Sequence, residues 1–532
     1  MALAAFAVEA FACTSAIVSG KLTANGRPLL WKNRDTNDQN NRVKRFAAHK
    51  GCYEFVALFD ARDKRDTAAW IGYNEKGFAI MNTASYNLND DKVKEKDKEG
   101  VVMHMALERC ATVDEFEQLL KSLPQPRGVE ANFGVIDADG NGAYFETGNY
   151  TLVKYDLKDA PDGILMRTNY SYSGRVDDGA GYVRESNEKK LLAPHIMRHD
   201  FTPAVFTEEV SRTFYHSVLD KDFTNSDTEW VVDQDFIPRR ISTATTVIEG
   251  VLPGENPLLT TMWMGLGYPP CAEIFPVWLW ENGVPKCLVG KGKDNHSPQC
   301  DIVNQRENEV FPIKRGNGKH YVNLQKLYNK QGTGYCQILI PQNMDTYRKG
   351  YEELAKRRAK FAAKKKYSQR RKIALNNLKL SISCKITSGE YAKAVFSHFI
   401  SDNWIFFLFP LLVCGCLSVH DIRILIASLM VLFVVVPFIM ILLYFNYMLT
   451  NSMVWSISEK TITLTSDGAL VLEFENPKLR TVKVNKGEVK KIHTHKRKIL
   501  LQIESSKYRF LVIPESCFKS EAEKHTLLSS II

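Results

Sequence analysis

The sequence contains no C-x-x-C pair and no His/Cys spacing suited to zinc, so no metal site is announced by spacing. Its eleven cysteines are an odd number without short regular intervals, which argues against a disulfide framework. The twelve histidines form no recognisable triad; His104 and His216 read as structural. The basic excess, +10 with a pI near 8.9, is local, and neither aromatic interleaving nor a binding fold accompanies it. Nucleic acid is therefore not the expected partner. No Lys or Arg precedes the first apolar stretch, Leu3–Val8, so residues 1–12 make an imperfect export signal. Either the true start lies upstream, or this is a pro-segment removed autocatalytically. What is present is bulk. At 532 residues, two or three domains are expected, and 45% apolar content suits globular cores plus a membrane segment.

The most informative stretch runs from Ala10 to Asp35. Ala10-Phe11-Ala12 fits the small-residue pattern of signal cleavage, which would make Cys13 the first residue of the mature chain. A terminal cysteine carries a nucleophile and a base together. A free α-amine has a reference pKa of roughly 7.7–8 and a free thiol about 8.5. Cys13-Thr14-Ser15 opens a strand expected over 14–22. The turn Ala24-Asn25-Gly26 leads to a second over 27–33, a hairpin signal ending in Asn33-Arg34-Asp35. Further strands are expected over 53–60, 68–73 and 78–83, with Asn74-Glu75-Lys76-Gly77 as a turn. Helices are expected over 101–110 and 113–122, with Thr112 or Asp114 as cap. A second hairpin spans 131–137 and 143–147. Later come Met166-Arg167-Thr168-Asn169, the pair Arg239-Arg240 before a strand over 244–248, and core segments at 260–264. The run Tyr335–Ile340 reads as the closing strand. Strands, helices, then strands indicate an α+β domain.

Cys13-Thr14-Ser15 followed by Asn33-Arg34-Asp35 resembles the choloylglycine hydrolase and isopenicillin-N acyltransferase-like group of N-terminal nucleophile (Ntn) hydrolases. The resemblance implies an αββα sandwich and a cysteine amidohydrolase or acyltransferase acting on linear, non-peptide amides through a thioester. No cofactor or metal is implied. It assigns Cys13 as nucleophile, Asp35 as the group holding thiol and amine, and Asn169 as an oxyanion donor. Arg240, with Arg239 as its alternative, would orient the cluster. Asn82 and Lys32 are assigned to binding. Lys32 stands where bile-salt hydrolases carry an arginine, which argues against bile-salt specificity.

From Asp345 the composition turns basic and alanine-bearing, and 345–377 reads as a solvated helical linker after an enzyme domain over 13–344. The apolar runs Trp404–Val419 and Ile424–Leu449 read as a transmembrane hairpin, with the basic stretch before it facing anionic lipid. After Met453, short strand-like runs from Val454–Ile457 to 508–513 precede a closing helix over 520–532. With a strand near 378 and a helix over 388–400, this half resembles the YcxB-like family of bacterial membrane proteins, whose soluble part is pleckstrin-homology-like. The expected partners are thus a small acyl-amide and a lipid bilayer. The expected location is a membrane, with the enzyme half exported. A signal before Cys13 exports that half, yet the basic stretch favours the inside, and both ends of a hairpin share one side. The alternatives are a membrane-associated scaffold with an inactive Ntn-like domain, or a join of two neighbouring genes.

Overall fold

The computed structural model describes residues 13–531, apart from 95, 225–226, 281, 314–318, 378–379, 400, 466, 496, 505–508 and most of 402–450. The segment 1–12 lies outside the described residues, as does nearly all of the expected hairpin 404–449. Among the described residues, no helix is long and apolar enough to cross a membrane. The chain divides into two compact units, Met1–Phe361 and Ala362–Ile532.

The first unit begins with strands β1 (Thr14–Val18), β2 (Leu29–Asp35), β3 (Asn41–Phe46), β4 (Phe55–Asp60), β5 (Ile71–Asn74) and β6 (Ala79–Ala84). Helices α1 (Glu99–Arg109) and α2 (Val113–Ser122) follow. Then come β7 (Ala131–Ile136), β8 (Gly142–Thr147), β9 (Leu152–Asp156) and β10 (Ile164–Arg167), helix α3 (Tyr182–Arg198), and strands β11 (Ser242–Glu249), β12 (Thr261–Leu266) and β13 (Phe275–Val277). Helices α4 (Pro298–Val310) and α5 (Tyr335–Asn377) complete the series. A six-stranded sheet runs β10-β1-β2-β11-β12-β13, and a seven-stranded sheet runs β3 to β9 in order. Within both, every pairing is antiparallel.

Period-two alternation decides what each strand faces. Ile17 and Leu30 pack with Val56, Leu58, Tyr73 and Met81, so these faces of the two sheets meet in one core. Phe55, Ala57 and Ile80 face outward against Met103, Ala106, Phe116 and Leu120 of α1 and α2. On the other side, Ala16, Val18, Trp31 and Trp263 pack against Leu192, Phe206, Tyr347 and Leu354. The result is helix, sheet, sheet, helix, the layering that the family resemblance implies. Thr112 caps α2 by accepting from the Glu115 N–H at 3.1 Å, a contact worth about 1 kcal/mol.

Two expectations are corrected here. Tyr335–Ile340 is the start of α5, not a strand. Cys336, Leu339, Asn343, Tyr347, Gly350 and Leu354 are its buried positions, a helical period that a six-residue apolar run conceals. For the same reason the enzyme unit does not stop at 344. Tyr347 lies against Trp263, with ring centroids 4.4 Å apart. At Gly350, an added Cβ would come within 2.4 Å of the Trp263 ring, so only glycine lets ring and helix meet.

The second unit holds a four-stranded sheet from Ser381–Cys384, Lys460–Leu464, Leu470–Phe474 and Val482–Val484, and a three-stranded sheet from Val489–His495, Lys498–Ile503 and Phe510–Pro514. Ile382, Ile462, Leu472, Leu501, Val512 and Leu527 are in its core, the last from the helix Glu521–Ile531. Val454–Ile457, expected as a strand, belongs to the helix Asn451–Ile457. Val454 is exposed and Trp455 buried, a one-sided pattern that a short helix supplies as readily as a strand.

These contacts make the end of the first unit testable. A chain ended after Gly350 loses Leu354, and one ended after Ala363 keeps it. The shorter chain should be less stable by about 3 kcal/mol, the cost of emptying a buried leucine site. Denaturant unfolding of both measures the difference, and equal midpoints would return the boundary to 344.

Candidate active site

Odd-numbered residues of β1 and even-numbered residues of β2 face the space between the sheets. At the Cys13 and Asp35 end this space opens into a cavity of about 740 Å³. Cys13 precedes β1, is 6% exposed and lines the cavity with Lys32, Asp35 and Asn82. Register explains the grouping, since Thr14 pairs with Asn33 and Ser15 with Lys32. Four of the six expected site residues thus line one cavity, Cys13, Lys32 and Asp35 from one sheet and Asn82 from the sheet opposite.

Lys32 is buried. Its ammonium donates to the Asn82 side-chain oxygen at 2.8 Å and to the Trp70 carbonyl at 3.1 Å. Burial pushes it from 10.5 down to about 8, and the charge of Cys13, when ionised, pulls the other way. Two positions on, Arg34 donates to Asp60 at 2.7 Å and lies over the Trp70 ring. Glu99, also in the wall, is raised by burial to about 7.

Asp35 is enclosed by donors. One oxygen accepts from Ser242 Oγ at 2.6 Å and Asn33 Nδ2 at 2.9 Å; the other accepts from Arg239 at 2.6 Å. The partner of Asp35 is therefore Arg239, and the choice of Arg240 is corrected. The Arg240 guanidinium lies over the Phe311 ring, and its backbone N–H donates to Asp233. The backbone turns between the two residues, so only one can reach the strand end.

Asn169 follows β10 and is fully buried. Its amide nitrogen donates to the Ala84 carbonyl at 2.9 Å. Its loop is held by Asn132, which donates to the Thr168 and Tyr170 carbonyls, and by Glu146, which accepts from the Tyr172 and Ser173 N–H groups. Glu146 also pairs with Arg167 at 2.7 Å, with both side chains excluded from solvent.

Arg184, on the first turn of α3, was not anticipated. It donates to the Cys13 carbonyl at 2.6 Å, the Thr14 hydroxyl at 2.9 Å and the Asn169 side-chain oxygen at 2.8 Å. Burial lowers it to about 10. The sequence hides it because the buried face of α3 is largely polar, with Arg184, Glu185, Asn187 and Glu188 all inside. Hydrophobic periodicity then has no stripe to detect.

Residues 22–230 match the family described as acyl-coenzyme A:6-aminopenicillanic acid acyl-transferase. The matched stretch includes Lys32, Asp35, Asn82, Asn169 and Arg184 and excludes Cys13 and Arg239. It agrees with the resemblance drawn from Asn33-Arg34-Asp35. No curated protein matches the chain significantly. Among solved structures, a mutant conjugated bile acid hydrolase from Clostridium perfringens is 12% identical, over 50% of this chain and 92% of that one, at a TM-score of 0.29. The Caenorhabditis elegans ortholog of N-acylethanolamine-hydrolyzing acid amidase is 16% identical, over 46% and 94%, at 0.32. Penicillin V acylase from Agrobacterium tumefaciens is 12% identical, over 50% and 86%, at 0.27. Likenesses this weak carry no argument about the chain.

The buried lysine gives a pH test. Its folded-state value, about 8, lies below its ordinary 10.5, so above pH 8 the unfolded chain binds the extra proton. Stability should therefore rise as pH climbs from 8 towards 10.5, by about 3 kcal/mol in all. Lys32→Met should remove that rise. Urea unfolding at pH 7.5 and 10 measures it, and an identical pH slope in wild type and variant would contradict the assignment.

Proposed function

We propose that the chain is an N-terminal cysteine amidohydrolase or acyltransferase acting on a linear, non-peptide amide. One observation carries the reading. Cys13 sits in the wall of a roomy cavity beside Lys32, Asp35 and Asn82, and Arg184 ties its carbonyl to Asn169. A merely structural cysteine needs neither the space nor the polar shell.

Removal of residues 1–12 frees the Cys13 α-amine. That amine takes the thiol proton as sulfur attacks the substrate carbonyl, and it later gives the proton to the leaving amine. Asn169 donates to the developing oxyanion, a role often worth about 3–4 kcal/mol. Asp35, fixed by Arg239, Ser242 and Asn33, holds the amine in place. Lys32 supplies positive charge near the thiolate. Water or a second amine resolves the thioester, giving acid or transferred acyl group. Trp70, Tyr86 and Val129 offer the acyl chain an apolar wall.

Anchoring in a bilayer through 404–449, a YcxB-like character for the second unit and export of the first remain part of this proposal on sequence grounds. Fractionation of cells expressing the chain tests the anchoring, which predicts recovery in the membrane pellet and release by detergent.

Purified protein should begin at Cys13 by intact mass. Cys13→Ala should keep the melting temperature and lose acyl-amide turnover. Asn169→Ala should lower kcat by about 10²–10³ with little change in KM. Turnover by Cys13→Ala at the wild-type rate would place the nucleophile elsewhere.

A further inference from the structure

Away from the cavity, three metal-ligating side chains meet where the β3–β4 loop touches α1. His49 and Cys52 come from the loop and Glu108 from the last turn of the helix. Their ligand atoms all lie within 4.8 Å of one another. We propose that His49, Cys52 and Glu108 bind a transition-metal dication, with Zn²⁺ the ion their mixed nitrogen, sulfur and oxygen donors suit.

The backbone already holds the ligands together. His49 and Cys52 exchange both backbone hydrogen bonds across a tight bridge, so their side chains leave one short turn. The next residue, Tyr53, donates its N–H to the Glu108 carbonyl at 2.8 Å, which pins the loop to the helix end. Gly51 takes φ +81°, the left-handed conformation that glycine supplies to this short turn. Donors around a tetrahedral ion with bonds of about 2.0–2.3 Å stand roughly 3.3–3.8 Å apart. Closing from the observed spacing needs an adjustment of about 1 Å, within reach of rotamer changes. His104 Nε2 lies 3.6 Å from Glu108 and would orient that carboxylate from behind. His49 is exposed, leaving the fourth position to water.

Binding breaks the Cys52 S–H bond. The proton leaves to solvent, the sulfur lone pair forms the metal bond, and nothing is oxidised. The ion would clip the loop to α1. Six-residue β3 separates it from the cavity end by roughly 20 Å, so the clip acts on stability rather than on chemistry.

Cobalt substitution reads the site directly. Full-length protein titrated with Co²⁺ should develop a thiolate charge-transfer band and tetrahedral d–d bands that saturate at one ion per chain. Zn²⁺ should abolish them. Cys52→Ser should lose the charge-transfer band, and His49→Ala, at an exposed position that leaves folding intact, should bind at least roughly tenfold more weakly. Excess Zn²⁺ should raise the wild-type melting temperature by several degrees and both variants by clearly less. A band that persists in Cys52→Ser, the absence of any band in wild type, or equal melting shifts in all three proteins would overturn the proposal.

Discussion

The site depends on one buried guanidinium. Arg184 reaches two segments distant from each other in sequence, through three acceptors: the adjacent Cys13 and Thr14 at the start of β1, and Asn169 in the loop after β10. All three acceptors are neutral, so the charge is offset by oriented oxygens rather than by a carboxylate in direct contact. A buried cation held this way is costly to leave short of partners, and removing one acceptor should destabilise more than one ordinary hydrogen bond would suggest. Local backbone makes room for it. Gly181, at the N-cap of α3, has φ +92°, and a Cβ there would lie 2.4 Å from the Arg184 guanidinium and 2.8 Å from Thr168. The glycine is required both by its backbone angle and by the arginine it lies beside.

Around that clamp, the sandwich sorts side chains by strand parity. On β2, Leu30, Lys32 and Arg34 face the opposing sheet, while Trp31 faces the helices. Deep in the sandwich the even positions are apolar and fill space. Towards the strand end they become charged and line a cavity. One periodicity thus builds the core and the site, and a one-residue slip of β2 would remove both. The opposing sheet answers with Asp60 for Arg34 and Asn82 for Lys32, so the cations enter the interior with partners in place.

Much of this was legible. Cys13, Lys32, Asp35 and Asn82 could be named from the chain, and the structure brings them to one cavity; strand and helix periods indicate α+β, while the four-layer arrangement came from the family resemblance. What stayed hidden has a physical reason in each case. Arg239 and Arg240 are adjacent, and only the turn of the chain before β11 decides which meets Asp35. Arg184 sits on a helix whose inner face is polar. The opening of α5 is an apolar run too short to reveal its period. Glu108 lies more than fifty residues from Cys52 in the chain, and only the packing of α1 against the β3–β4 loop brings them together. Spacing rules see ligands that are neighbours in sequence; they are blind to ligands that are neighbours only in the fold.

The lysine at position 32 changes what the cavity can do. A guanidinium there would stay charged at any accessible pH and present a planar fork. An ammonium is a point charge with three donors, and two are already directed at Trp70 and Asn82. Burial brings its titration down to about 8. Arg34 is held over Trp70 and paired with Asp60. The charge that this cavity presents therefore changes with pH through two residues of its lining, Lys32 at about 8 and Glu99 at about 7.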